Sequence, residues 1–474
     1  MSSTEAGAGA QMRVFTDWAA DVRIEDVPTA IVSRLKHSVR DGLACAIYGT
    51  RLPWTRSVER AMVAQSGGHG PATVWGSGAR VDAMAAAIAN GTAIQSYELD
   101  DLHSEGSVHG TSAMLPAAMA LAELRPEVSG ADLLVALTVG WEAAVRVNRC
   151  IGHILVNGWH QPTMMGTIAA ATACGRLLGL PPAQLYECVS YGVLQAAGLT
   201  VVQYGGSAKR IYAGRAAESG VQSALFAEQG LTCPDDAFGH EFGGFLTTYA
   251  PNRDHDLGAL TGGLGDDFAA SGVSFKLHAC AGMNQVALDL LGGLMSENPE
   301  ITSDNVASIE LAMTEQGFKH LGFPYVPDTA VTAQFSVRYC LAVYLLEGAA
   351  FVEQFRDELL ADPQLLDVVS RIETVCDPSL QTSDLRSKRA QRLRVTLRDG
   401  SRFECAGMLA RGHADRPATE DQLRAKYERL VAGMLEPEVV KQLSERIESL
   451  EEVPAANDLV RLCVPPVGLN LVRT

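Results

Sequence analysis

The chain has 474 residues, 47% hydrophobic and 20% charged, which is ample apolar surface for a large core and carries no compositional sign of disorder. Single cores rarely grow past about 250–300 residues, so two domains are expected and one small module is excluded. Lys and Arg number 38 against 55 Asp and Glu, a formal net charge of −17 that repels phosphate backbones and anionic lipid, so neither nucleic acid nor a membrane surface is an expected partner.

The N-terminal stretch MSSTEAGAGAQMRVF is small and polar without an apolar signal-type core, and the first ten or so residues are expected to be a floppy lead-in. No run of about 18 apolar residues follows, and a soluble cytoplasmic protein is expected. From about residue 22 to residue 260 apolar residues recur at three- and four-residue spacing between short Gly/Pro breaks, as in 82–99, 131–147 and 163–178. Small residues on several faces predict helices packed closely on many sides. After about Gly272 the pattern changes. Residues 307–314 and 392–404 alternate, the latter around Asp399-Gly400, a two-residue hairpin signal, and a helix is predicted over 335–346 between them. Thr419-x-x-Gln422 fits a capping box, followed at helical spacing by Leu423, Tyr427, Leu430 and Met434. Stretches 254–267 and 376–386 are the expected loops and crossings. The fold class is therefore mainly α: a large all-α helical domain plus a smaller α+β domain.

Ten cysteines are scattered singly without a C-x-x-C pair, so reduced, mostly buried thiols are expected, not a zinc site. Chemistry concentrates in four places. The first is the polar stretch 98–112, with Glu98, Asp100, Asp101, His103 and His109, predicted as a loop between the helix before it and one over 113–124. Imidazoles beside carboxylates can be tuned for proton transfer near neutral pH; the alternatives are a solvated acidic loop whose histidines cap the next helix, or a metal site. The second is Gly158-Trp159-His160-Gln161-Pro162 ahead of a small-residue helix, where His160 at a helix N-terminus could hold a carboxylate or merely pack on Trp159. The third is the Gly-rich turn 203–210 ending in Lys209-Arg210. Lysine is scarce in this chain, so adjacent cations here suggest an anion clamp, against ordinary surface charges at a helix start. The segment is neither a Walker A loop nor an S-x-x-K motif. The fourth, 274–285 with His278, Cys280, Asn284 and Gln285, precedes an apolar helix over 286–294 and opens the smaller domain, where side chains can reach an interdomain cleft. Cys280 with His278 shows no thiol-protease signature. Gly262-Gly263-Leu264-Gly265 lacks the strand–turn–helix context of a dinucleotide site, so no nicotinamide or flavin is implied.

These segments, in this order, resemble the MmgE/PrpD family, which includes 2-methylcitrate dehydratases, iminodisuccinate epimerases and cis-aconitate decarboxylases. The resemblance covers nearly the whole chain and rests on YELDDLHSEGSVHGTSAMLPAAMALAE, GWHQPTMMGTIAAATACGRLLGL, QYGGSAKRIYAGRAAESGVQSALFAEQG, VSFKLHACAGMNQVALDLL and AQFSVRYCLAVYLLEG. The wording ELDD-x-HSE and the QYG before Lys209-Arg210 are most similar to the cis-aconitate decarboxylase branch. The resemblance implies an all-α domain over 12–268, an α+β domain over 269–408, and helices over 409–474 completing the first. It further implies a homodimer, no organic cofactor or metal, a small carboxylate substrate, and an active site between the domains.

By matching motif, Glu98 opens the family's D/E-x-D-D element with Asp100 and Asp101, His109 is the histidine seven residues before Pro116, His160 fills G-[FW]-H, and Lys209 begins K-R-x-x-A-G-R-A. Many members carry Thr-His where this chain has Asn284-Gln285, and His278 stands where an aromatic is common, which leaves a histidine role there open. Leu102 replaces a frequent hydroxyl residue. The family reactions break a bond at a carbon flanked by carboxylates, where negative charge builds up. Expected catalytic residues are His109 as proton carrier, with Lys209, His160, Asp101 and Glu98; expected substrate contacts are Asp100, His103, Arg210, His278 and Gln285. Decarboxylation of a cis-aconitate-like acid, dehydration of a citrate-like acid and epimerisation of an imino-diacid are the enzymatic readings. A non-catalytic carboxylate-binding paralogue is the contrasting one.

Overall fold

The computed structural model describes residues 7–464 except Ser104, Gly106, Ser107, His153, Leu155, Val156, Asn252 and the side chain of Leu385. It is 60% helical, and its strands form small sheets: a mainly α fold with a smaller α+β region. The N-terminal part contains helices α1 (Ala8–Asp21), α2 (Thr29–Gly49), α3 (Pro53–Ser66), α4 (Ala83–Ile94), α5 (Gly110–Leu124), α6 (Gly130–Ile151), α7 (Gln161–Leu177), α8 (Pro182–Gln195) and α9 (Tyr212–Glu228). Local sequence sets several starts. Asp82 caps α4 by accepting from Ala85 N–H, and Ser129 with Asp132 forms a capping box at α6. Helices α4, α5, α7 and α9 pack on one another at the centre, and small residues permit it: a Cβ on Gly214 in α9 would sit 2.2 Å from the Ile88 carbonyl oxygen of α4. The first turn of α1 corrects the expected lead-in. Ala8 and Gly9 are already buried, and Met12, Phe15 and Ala19 continue the same face into the core.

The small hairpin β1 (Ala72–Thr73) with β2 (Arg80–Val81) precedes α4, and β3 (Leu102–His103) follows it. Strand β3 pairs antiparallel with β4 (Val273–Ser274), joining the polar stretch after α4 to the entrance of the α+β region, 172 residues further on in the Leu102–Ser274 register. Short helix α10 (Phe245–Tyr249) lies between them in sequence. The α+β region holds α11 (Asn284–Glu297), β5 (Val306–Met313), α12 (Glu315–Leu321), α13 (Ala330–Phe335), α14 (Val337–Glu347), α15 (Asp357–Leu360), α16 (Pro363–Ser370), β6 (Ile372–Cys376), β7 (Gln391–Leu397) and β8 (Arg402–Gly407). The sheet order is β6-β5-β7-β8, parallel between β5 and β6 and otherwise antiparallel. Strand β7 alternates buried and half-buried residues throughout, as its sequence predicts.

The β7–β8 connection differs from the expected two-residue turn. Gly400 N–H donates to Leu397 O at 3.0 Å and Leu397 N–H to Ser401 O at 2.8 Å, closing a three-residue loop with Gly400 at φ +92°. An Asp-Gly pair serves either geometry, because both need glycine in the left-handed region. Helix α17 (Glu420–Val431) starts at the predicted Thr419–Gln422 capping box, and with α18 (Pro437–Glu448) it packs back on α2. Short α19 (Asp458–Leu462) follows against α18. Lys426 of α17 pairs with Asp41 of α2 at 2.5 Å, both buried. All ten cysteines are free. Among the described residues no helix is long and apolar enough to cross a membrane, and no group of three or more His, Cys, Asp or Glu is arranged to hold a metal ion.

Candidate active site

Helix α4 ends at Ile94, and a single 3₁₀ turn over Gln95–Tyr97 leads to Glu98, which has φ +55°, the positive-φ non-glycine among the described residues. Such a backbone is costly for a residue with a Cβ, and it persists where the surroundings over-determine it. Here they do. Lys276 Nζ donates to Glu98 O at 3.0 Å and lies 3.5 Å from its Oε2, while Arg210 Nη1 (2.7 Å) and Lys209 Nζ both reach Oε1. Burial alone would raise the Glu98 carboxyl, yet Lys209, Lys276 and Arg210 hold it well below the carboxylate range. One carboxylate facing three buried cations leaves a local surplus of positive charge inside an acidic protein.

Two histidines face this cluster from helix N-termini. His109 precedes α5, and its Nδ1 lies 2.9 Å from Asp101 O and 3.1 Å from Asp100 Oδ2, so Nδ1 carries the proton and Nε2 is left without a protein partner among the described residues. Burial opposes ionisation of Asp100, but His109 and Lys276 lower its pKa. Asp101 is different: Thr111 Oγ1 donates to its Oδ2 at 2.6 Å, while burial, followed by Asp41, pushes its carboxyl up to about 8. His160 precedes α7, with Nδ1 2.7 Å from Thr163 Oγ1 and the ring edge-on to Tyr212. Its Nε2 is buried with no partner, and burial, then Lys209, lowers its pKa to about 3, so the imidazole is neutral.

Glu98, His109, His160, Lys209 and Lys276 line one cavity of about 1000 Å³. The α+β region supplies the other wall: His320 of α12, Phe335 of α13, and Arg386, Lys388 and Arg389 on the approach to β7. Gln203 also lines it with a buried, unpartnered Oε1. At one rim Glu105 pairs with Arg149 at 2.8 Å. The arrangement offers cations for anionic groups and ring nitrogens for proton transfer, in a concave site between two parts of the chain.

The expected residues divide by position. Five of them reach the cavity: Glu98, His103, His109, His160 and Lys209. His103 does so with its ring held: Nε2 lies 3.0 Å from Ala269 O, a Cβ on Gly272 would clash with it, and burial lowers its pKa to about 4. Asp100 and Asp101 stand behind His109 and do not line the cavity. Arg210 is fully buried behind Glu98, with Nη2 donating to Gln334 Oε1 at 2.5 Å, so the expected Lys209-Arg210 clamp grips an internal carboxylate.

His278 and Gln285 lie outside the cavity lining. His278 packs edge-on to Tyr344, and burial lowers its pKa to about 4. Gln285 Oε1 accepts from Leu277 N–H (3.2 Å) and His278 N–H (3.0 Å), and its Nε2 donates to His278 O at 2.7 Å, bracing the turn that follows Lys276. Of the polar stretch 98–112, Ser104, Gly106 and Ser107 lie outside the described residues.

Sequence reasoning missed Lys276, His320, Gln203 and the 386–389 cations. A signal existed for Lys276: the chain has seven lysines, and this one sits in the apolar run VSFKLHACAG, where an unpaired ammonium is not tolerated. Nothing local marks Arg386, Lys388 and Arg389, since a basic run in a loop normally faces solvent.

Residues 13–257 match the MmgE/PrpD N-terminal domain and residues 278–452 the MmgE/PrpD C-terminal domain. The chain is 30% identical to the cis-aconitate decarboxylase-like protein oryM of Aspergillus oryzae, over 94% of this chain and 95% of that one. It is 28% identical to a cis-aconitate decarboxylase of Aspergillus terreus over the full length of both. It is 26% identical to the Mus musculus cis-aconitate decarboxylase, over 94% of this chain and 91% of the relative. The chain is an enzyme of the lyase type and belongs to the MmgE/PrpD family.

Proposed function

We propose that this protein decarboxylates a cis-aconitate-like tricarboxylate without a cofactor, using the cavity lined by Glu98, His109, His160, Lys209 and Lys276. The observation that carries the reading is the surplus of buried positive charge around Glu98, next to two imidazole edges whose Nε2 atoms have no protein partner among the described residues. Decarboxylation breaks a C–C bond, releases CO2 and leaves an electron pair that a conjugated carboxylate takes up; the reaction ends when a proton is added to carbon. Lys209 and Lys276 stabilise the growing carboxylate charge. His160, with Thr163 donating to Nδ1, offers an Nε2–H to a substrate oxygen. His109 carries the proton, its ring set by Asp101 O and by the ionised Asp100, while Glu98 keeps the cations in place. The curated relatives named for cis-aconitate decarboxylation favour this over dehydration of a 2-methylcitrate-like acid or epimerisation of an iminodisuccinate-like diacid.

The test is incubation of the purified protein with cis-aconitate, 2-methylcitrate and iminodisuccinate, following CO2, alkene absorbance and optical rotation. CO2 release from cis-aconitate alone is the expected result, reduced by about 10²–10⁴ in His109→Ala, the usual worth of a positioned acid–base group. Turnover of another acid instead would assign one of the sister reactions, and tight binding without any turnover would make the protein a carboxylate-binding paralogue. A homodimer is part of the same proposal, supported by the exposed apolar side chains Leu194, in the last turn of α8, and Leu199, Val201 and Tyr204, in the segment between α8 and α9. Light scattering on the eluted protein reads that directly.

A further inference from the structure

The cations of the cavity fall into two sets with different bookkeeping. Lys209 and Lys276 share Glu98, so each already has an anionic neighbour. On the opposite wall Arg386 is neutralised too, by Asp384 at 2.8 Å and Asp415 at 3.1 Å. Its neighbours are not. Lys388 and Arg389 line the cavity with no hydrogen-bond or ion-pair partner for either side chain among the described residues.

Arg389 is half-buried at the cavity wall. Its guanidinium approaches Gly282, where an added Cβ would lie 3.5 Å from Nη1 and 3.8 Å from the methyl groups of Leu102 in β3. The terminal nitrogens therefore stand at the junction of the two walls, and burial lowers even this guanidinium to about 10. Withdrawing a guanidinium even partly from water without a carboxylate is costly, and among the described residues no acidic side chain pairs with Arg389, although Arg386 three residues earlier receives two. The missing anion is one the cavity is built to receive.

We propose that Arg389, assisted by Lys388, is a second carboxylate clamp that holds the substrate carboxylate remote from Lys209 and Lys276, and so makes the enzyme selective for tricarboxylates over dicarboxylates. The inference rests on the carboxylate-binding half of the function proposed above and assigns the residues that count the carboxylates. The planar fork of Arg389 suits bidentate recognition, and Lys388 adds an undirected charge. The Leu102 methyl groups that approach Gly282 beside Arg389 offer it no hydrogen bond.

The test uses two unreactive ligands that differ by one carboxylate, tricarballylate and 2-methylsuccinate, with affinities measured by calorimetry on wild type, Arg389→Gln and Lys388→Met. Wild type is expected to prefer tricarballylate by about tenfold or more, the worth of one charge-assisted bidentate contact. Arg389→Gln should erase that preference by weakening tricarballylate alone, and Lys388→Met should reduce it partly. Equal weakening of both ligands, or no change in either, would overturn the proposal. Because the Arg389 side chain makes no hydrogen bond or ion pair among the described residues, the melting temperature of the unliganded Arg389→Gln protein should hold or rise; a fall would mark a structural role and also count against the clamp. With cis-aconitate, KM should rise while kcat is largely kept. A wild type that shows the tricarballylate preference but releases no CO2 would retain the clamp and reject the decarboxylase reading, so the two fail separately.

Discussion

Two buried ion clusters in this protein are built from the same residue types and do opposite things. In α6, Glu142 and Arg146 pair at 2.7 Å, both 1% exposed. Arg146 spends its remaining donors on the carbonyls of Gly262 and Asp267, and Glu142 accepts from Ala269 N–H. The charges match one to one. Around Glu98, three cations meet one carboxylate, and the unpartnered Nε2 of His160 and Oε1 of Gln203 border the same cavity. A saturated pair ties a loop to a helix, whereas an unsaturated cluster is incomplete until something anionic arrives. Buried charge is thus no sign of function by itself; its imbalance is.

The comparison predicts which removals cost stability and which cost turnover. The largest effect is expected from Arg146→Met, which strands Glu142 in the core and should lower unfolding stability by about 3–5 kcal/mol, seen as a shifted denaturant midpoint. Turnover per folded molecule should fall far less than in the next variant. Lys209→Met should lower kcat/KM for cis-aconitate by about 10²–10³, the cost of losing one preorganised charge donor. Its melting temperature should barely move, because Glu98 keeps Arg210 and Lys276. A stability loss as large as that of Arg146→Met would make Lys209 a structural ion and break the distinction.

The smallest effect sharpens it further. Asp101, raised to about 8, binds a proton in the folded state that it lacks when unfolded above the ordinary carboxylate range. Its contribution is full at low pH and declines as pH rises toward about 8. His103 and His160, lowered to about 4 and about 3, act with the opposite sign, and only below the ordinary histidine value of about 6.5. Burial raises the Asp41 and Glu142 carboxyls as well, so the Asp101 share is read as the difference between wild type and Asp101→Asn, which should remove about 1–2 kcal/mol of pH-dependent decline from the stability profile between the ordinary histidine value and about 8. Glu98, held low, contributes stability that disappears only in strong acid.

Much of this was legible beforehand, for identifiable reasons. Helix starts at Asp82, Ser129 and Thr419 follow from side chains within three residues, and the alternation of β7 follows from a period of two. The motif residues Glu98, His109, His160 and Lys209 do share one cavity. Arg210 was expected on the substrate, yet adjacency to Lys209 says nothing about direction, and a short 3₁₀ turn over Ala208–Ile211 sends it behind Glu98. His278 and Gln285 looked equally eligible, but the turn they occupy aims Lys276 at the site and keeps them outside it.

By itself the sequence determined the elements, their helical bias and the acidic balance, because caps, periodicity and composition act over a few residues or over the whole chain. Which charges are paired was settled only by the tertiary structure. Pairing at Glu98 joins positions more than a hundred residues apart, and the lack of an ion-pair partner for Arg389 among the described residues depends on which distant segments the fold brings beside it. Such contacts depend on distance in space, and no local pattern encodes that.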